Sequence, residues 1–408
     1  MKFLSSINDD QILFSLELIK SHVHELKDHL KCKLYQHPED FLILPRESID
    51  KKIAIDTSAR NSNLKCIFVA GIGGATNTLK ALINALGQGR KVLIFDTLNG
   101  DSAKDLLQIL DNINNKNEFI FLVISKSGRT LETNLNAKVV AGILEEKFGD
   151  SSDRTIVLTL GDSELWRDSL ENVAKIPLRA NISDRYSAFS IVGLLPLALA
   201  GIDINKFLDG AEDVLKRFET DEMFFVRSAA ISDYMFRSGK IIRNFFFFNS
   251  GLEELGKWTR QLISESLGKK GIGIFPAVSM GPEDLHSIAQ LILDGPDNIF
   301  NTFISIESET GGEVNNSMIF GLLEPELAGK KINEVKVEIY NGFLESMSNL
   351  KKPFTQIILR DLSSFSLGQY MQFMMIETAL LGLAWGIDPF NQPAVEEYKQ
   401  KSRQALQL

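Results

Sequence analysis

Two cysteines in 408 residues, Cys32 and Cys66, are too few for a disulfide framework and point to a reducing, cytoplasmic setting. Histidine is nearly as scarce. Four of the five (His22, His24, His29 and His37) crowd the N-terminal region, and only His286 lies beyond them. No Cys/His cluster has zinc-ligand spacing, so no zinc site is expected. Apolar runs of about 18 residues, the length of a membrane-spanning helix, are missing. Met1–Asp10 turns polar too early for a signal peptide. Basic charge is in deficit. The 44 Lys and Arg face 53 Asp and Glu, and the net charge of −9 argues against nucleic-acid binding. Acidity does not bar a phosphorylated ligand, provided that a few cations and backbone N–H groups converge locally.

What is present is an ordinary globular composition, 44% hydrophobic, in a chain too long for one core. Two domains of roughly 100–200 residues each are expected. Residues 10–35 read as an amphipathic helix, with Ile12, Leu16, Ile19, Val23, Leu26 and Leu30 at three- and four-residue steps. His22 and His29 lie seven apart on it and are expected at the surface. From residue 65 strands alternate with helices: 65–70, 91–95, 118–124 and 155–159 are short apolar runs. Leu131, Leu135, Val139 and Ile143 mark one of the intervening helices. Continuously apolar strands alternating with helices imply a parallel sheet covered on both faces. The stretch 187–201 is apolar nearly all round and reads as a buried connecting helix that Pro196 bends or ends. The alternation then restarts: 240–248, 301–306 and 353–359 are strands, 251–269 and 367–385 helices. The expected fold is α/β, with two doubly wound parallel sheets flanked by helices. Residues 1–50 form an N-terminal helical segment, 51–200 the first domain with its connecting helix, 201–385 the second, and 386–408 a C-terminal helical arm.

Four separated segments carry chemistry. Gly71-Ile-Gly73-Gly74 follows a strand and opens toward a helix, where backbone can approach an anionic ligand closely. Thr76 stands where a dinucleotide fingerprint needs glycine, so the motif is equally a tight strand–helix turn. Ser125-Lys126-Ser127-Gly128-Arg129-Thr130 also lies between strand and helix. Its hydroxyls, lysine and free N–H groups suit a phosphate monoester: charge from Lys126, directional bonds from Ser125, Ser127 and Thr130. The spacing is not that of a nucleoside-triphosphate loop, and a plain helix cap is the other reading. On a helix, Gln261, Glu265 and Lys269 share a face, either as a site or as a surface ion pair. Ser266 and Lys269 match S-x-x-K, but the accompanying motifs of penicillin-type serine enzymes are missing. His286 follows a Gly-Pro turn, Arg185 precedes the buried connecting helix, and Gln392-Pro393 opens the last helix, which carries Lys399.

Taken in order, these segments resemble the phosphoglucose isomerase family over most of the chain. Gln261–Lys269 is similar to its Gln-x-x-x-Glu-Ser-x-Gly-Lys segment, and Arg185-Tyr-Ser to its Gly-Gly-Arg-Tyr-Ser motif. Ser125–Thr130 is similar to its Ser-Lys-Ser-Gly-Thr-Thr loop, and Gln392–Lys399 to its Gln-Pro-Gly-Val-Glu-x-x-Lys tail. The resemblance implies two sugar-isomerase (SIS) domains and a homodimer with active sites at the subunit interface. It also implies interconversion of glucose 6-phosphate and fructose 6-phosphate through a cis-enediol, with no cofactor. By resemblance Glu265 is the base and Arg185 stabilises the enediolate. His286, from the neighbouring subunit, and Lys399 assist ring opening. Ser125, Lys126, Ser127 and Thr130 hold the phosphate, while Gly74, Gln261 and Gln392 line the pocket. The chain departs from the family pattern at Ala75 (commonly Ser), Arg129 (Thr), Asp184 (Gly) and Leu285 (Gln). Arg129 is expected to add charge to the turn or to crowd it. Two other readings remain open: an isomerase that also accepts mannose 6-phosphate, and a non-catalytic sugar-phosphate sensor on the same fold.

Overall fold

The computed structural model describes residues 1–31, 37–87, 89–309, 311–315 and 324–407. The chain begins with strand β1 (Lys2–Ser5). It then builds a first sheet from β2 (Cys66–Ala70), β3 (Lys91–Phe95), β4 (Phe119–Ile124), β5 (Thr155–Thr159) and β6 (Ala174–Pro177). Their order is β3-β2-β4-β5-β6, all parallel. A second sheet uses β7 (Ile242–Phe247), β8 (Phe275–Met280), β9 (Ile299–Ser308) and β10 (Phe354–Asp361), in the order β1-β10-β9-β7-β8. It is parallel except for β1, which pairs antiparallel with β10 at one edge.

Alternation along the strands explains why both faces are covered. Ile67, Val69, Ile120, Leu122 and Ile124 enter one core, whereas Phe68, Ala70, Phe119, Phe121 and Val123 enter another on the opposite face. In the second sheet Phe245 and Phe247 point to the large central core, while Phe246 and Phe248 join Phe303, Tyr340, Phe343 and Phe354 on the other side. Every residue of the connecting helix Ile191–Ala200 is buried. It runs four residues past Pro196 and closes at Gly201, so the proline sits inside the helix rather than ending it.

The apolar runs that read as strands are strands. β1, β6 and β8 escape such a reading, and each lies at a sheet edge. β1 also lies in the N-terminal segment expected to be helical. The helix read over 10–35 comprises Leu13–Lys31 after a 3-10 turn at Asp9–Ile12, and it buries Ile12, Ile19, Val23 and Leu26. The remainder of that reading, with Cys32, lies outside the described residues. His29 packs against the His37 ring, with centroids 5.5 Å apart, and lies 3.9 Å from Glu39.

One helix is where the sequence marks it but buries a different set of residues. On Leu131–Phe148 the row Leu131, Leu135, Val139, Ile143 does not form the buried face, and Leu135 and Val139 are exposed. The core under the sheet takes Ala137, Val140, Ala141 and Leu144, with Ile143 of that row packed beside them, and Thr133 is buried as well. A strict four-residue row drifts around a helix of 3.6 residues per turn, while this set keeps to one face.

Candidate active site

The crevice lies where it should in a doubly wound sheet, at the C-terminal ends of adjacent strands where the strand order reverses. β2 leads into Gly71–Ala75 and its neighbour β4 leads into Ser125–Thr130. The first loop forms a 3-10 turn at Gly73–Ala75, pressed against the backbone of Asp184. A Cβ added at Gly74 would stand 2.4 Å from the Asp184 carbonyl carbon and oxygen, so only glycine permits this approach.

Facing these loops is the helix Glu253–Leu267, which follows β7 in the second sheet and packs on the helix Asn77–Leu86. The four-residue step of the sequence reading holds for two of its residues: Gln261 Nε2 donates to Glu265 Oε1 at 3.0 Å. The Gln261 amide is held in turn by Asn77, whose Nδ2 donates to Gln261 Oε1 at 2.7 Å. Lys269 does not share the face. The helix stops at Leu267, and the Lys269 ammonium donates to the carbonyls of Ser266 and Asp388. Burial, with Arg185 adding to it, pushes Lys269 down to about 8.

Arg185 is the centre of the cluster. It lies in the 3-10 turn Asp184–Tyr186, is 2% exposed, and spends all five N–H donors inside the protein. Nε donates to Ser266 Oγ at 2.8 Å. Nη1 donates to Glu265 Oε2 at 3.2 Å and to Gln392 Oε1 at 2.7 Å. Nη2 donates to the carbonyls of Pro389 at 2.7 Å and Asn391 at 2.9 Å. Both Glu265 oxygens are thereby engaged, while the Glu265 side chain keeps 32% of its surface exposed and so stays within reach of a ligand.

The second centre is the turn after β4. The hydroxyl of Ser125 donates to Thr130 Oγ1 at 3.0 Å, and Gly128 adopts a left-handed φ of 69°. The Lys126 ammonium bends back to the carbonyl of Ile182 at 2.6 Å, and burial lowers its affinity for the proton. Ser127 is exposed and accepts from the Arg129 amide at 3.2 Å. The Arg129 guanidinium turns outward to Glu164 at 2.6 Å, so it neither crowds the turn nor adds its charge there. Behind the turn a cavity of about 20 Å³ is lined by Ala75, Ser125, Lys126, Thr130, Thr133 and Asp184 among others. Thr133 was missed in the sequence. Its buried hydroxyl has no hydrogen-bond partner among the described residues, and its place in the first turn of the helix Leu131–Phe148, between Glu132 and Asn134, gave no signal.

Gly74, Arg185, Gln261, Glu265 and Gln392 are thus brought together, with Ser125, Lys126 and Thr130 beside them. Two predicted residues make no hydrogen bond to this cluster. His286 is exposed on the 3-10 turn Glu283–His286. Lys399 lies on the last helix, Val395–Ala405, bonded to Glu396 at 2.9 Å. That helix buries none of its residues and is tied to the turn by Arg403 Nη1, which donates to the Arg129 carbonyl at 2.9 Å. Among the described residues no group of three or more His, Cys, Asp or Glu could hold a metal ion, and no helix is long and apolar enough to cross a membrane.

Comparison with known proteins gives the family of the chain. Residues 56–407 match the family model described as phosphoglucose isomerase. A glucose-6-phosphate isomerase of Leptospira biflexa is 32% identical over 83% of this chain and 79% of its own. One of Clostridium novyi is 30% identical with the same coverage. Among solved structures, a Chlamydia trachomatis glucose-6-phosphate isomerase superposes with a TM-score of 0.81 at 17% identity, covering 98% of this chain and 86% of that one, a likeness of fold. The match over residues 56–407 takes in the first sheet, the second sheet apart from β1, and every residue of the Arg185 cluster, and the chain belongs to the phosphoglucose isomerase family.

Proposed function

We propose that the protein is an aldose–ketose isomerase that interconverts glucose 6-phosphate and fructose 6-phosphate. The observation that carries this reading is the Glu265–Arg185 pair: a carboxylate open to ligand, held from both sides, beside a buried guanidinium and a hydroxyl-rich turn. Isomerisation needs one base that reaches two adjacent carbons. Glu265 takes the proton from C2 of the open-chain aldose and returns it to C1 of the enediol. The negative charge that develops on oxygen is stabilised by Arg185, whose partners fix it in place before the reaction. All five donors are engaged in the free protein, so the enediolate is stabilised by the nearby charge or replaces Gln392 or Glu265 as an acceptor.

Ser125, Lys126, Ser127 and Thr130 receive the phosphoryl group. His286 and Lys399, both outside the Arg185 cluster, act at ring opening. On this reading the protein is a homodimer in which each site is completed by His286 of the partner subunit. Residues 51–200 and 201–385 each form one SIS domain, residues 386–408 form the arm, and the enzyme works in the cytoplasm. The test is a coupled assay of purified protein with fructose 6-phosphate, detecting glucose 6-phosphate, with chelator present. Turnover is expected. Folded protein that binds the sugar phosphate without turnover would make it a sensor, and the same assay with mannose 6-phosphate sets the breadth of the substrate range.

A further inference from the structure

Among the residues lining the cavity behind the phosphate turn, Asp184 is the one acid. It replaces the glycine that usually precedes the arginine, and it shares the cavity with Ser125, Lys126, Thr130 and the unpartnered hydroxyl of Thr133. Its carboxylate accepts no hydrogen bond from any described residue, and Lys126 donates to Ile182 rather than to it. At about 20 Å³ the cavity has room for about one ordered water, well short of a phosphoryl group with its three oxygens. The Asp184 backbone has no slack on one side, where Gly74 presses against it. Four charged groups face the carboxyl: Lys126 from the turn, Glu265 from the helix Glu253–Leu267, Arg185 beside it, and Lys399 from the last helix. Burial drives the carboxyl above the ordinary carboxylate range, with Lys126 opposing and Glu265 adding to the rise.

We propose that Asp184 is a specificity-determining residue that competes with the substrate's phosphoryl group for the space and charge beside Lys126. The carboxyl holds the anion seat in the free protein and gives it up on binding. The sugar end of the ligand, at Glu265 and Gln392, therefore carries more of the recognition, and a bare phosphate is held poorly. This inference rests on Ser125–Thr130 being the phosphate turn of the isomerase proposed above.

The experiment compares D184G and D184N with the unaltered full-length protein at pH 8. It reads KM for fructose 6-phosphate, competitive inhibition by inorganic phosphate, and calorimetric binding of inorganic phosphate. Phosphate binding is expected to tighten by about tenfold or more, as removal of one like charge a few ångströms away implies, and KM should fall with it. A gain in both variants assigns the competition to charge, and a gain confined to D184G assigns it to volume. Either supports the proposal, because a merely damaged fold loosens binding rather than tightening it. Phosphate binding unchanged or weakened in both variants overturns it. Should the unaltered protein show no isomerase turnover, the functional reading fails while calorimetry still decides the role of Asp184.

Discussion

Arg185 and Lys126 are both cations of one crevice, yet Arg185 is saturated with five acceptors from two distant parts of the chain, while Lys126 holds a single carbonyl. On the proposed reading the Arg185 cluster is the reacting half of the site, and it is assembled in advance, so little reorganisation is left for the moment when charge develops. The Lys126 half, which that reading makes the phosphate anchor, is loosely occupied, with a Thr133 hydroxyl that has no partner among the described residues and the Asp184 carboxyl in the same cavity. Preorganisation is then concentrated, on the same reading, at the reacting carbons. The phosphate end, which binds substrate and transition state alike, is free to adjust.

Mutations that attack each half should give different kinetic signatures. The largest effect is expected from Glu265→Gln, which keeps the size of the side chain and removes the base. kcat should fall by about 10²–10⁴-fold while fructose 6-phosphate still binds by calorimetry. Equal loss of binding and turnover would make Glu265 a structural residue. Next comes Arg185→Lys, which retains the charge but has fewer donors than the acceptors it must serve. A kcat loss of about 100-fold should accompany about 3 kcal/mol of lost stability in urea unfolding. Unchanged stability would mean that the cluster is not prebuilt as described.

Lys126→Ala addresses the loose half and should raise KM about tenfold or more with kcat little changed. A fall in kcat alone would remove the phosphate assignment. The smallest effect concerns Lys269, which titrates at about 8 in the folded protein against an ordinary 10.5. The unfolded chain holds this proton to higher pH, so stability should rise as pH climbs from about 8 toward 10.5. Urea midpoints at pH 7.5 and 9.5 should show that rise in the unaltered protein and lose it in Lys269→Met. The change will be modest, because the ammonium keeps contact with solvent.

The buried strands of both sheets were legible because a strand covered on both faces is apolar throughout. β1, β6 and β8 were not, since an edge strand is covered less and its sequence need not be apolar; β8 even contains Pro276. At the site, Gln261 with Glu265 and Ser125 with Thr130 could be read because their partners are four and five residues away. The bonds from Arg185 to Ser266 and Asn391 span 81 and 206 residues and depend on topology, which no local pattern encodes. Lys269 was misjudged by the position of a helix end, and Arg129 by the direction of a long flexible side chain. Thr133 needed the cavity before its hydroxyl meant anything.

The bonds of Arg185 also set an order of events as the protein is made. Three of its five acceptors come from residues 389–392, near the far end of the chain. When the first sheet and the helix Glu253–Leu267 have emerged from the ribosome, the guanidinium can satisfy only Ser266 and Glu265. A buried cation with idle donors opposes docking until the last segment arrives. With Arg185 in its proposed role, catalytic competence is a late acquisition in the life of each molecule, and the recovery of activity during refolding is expected to report the seating of these few residues rather than the formation of the sheets.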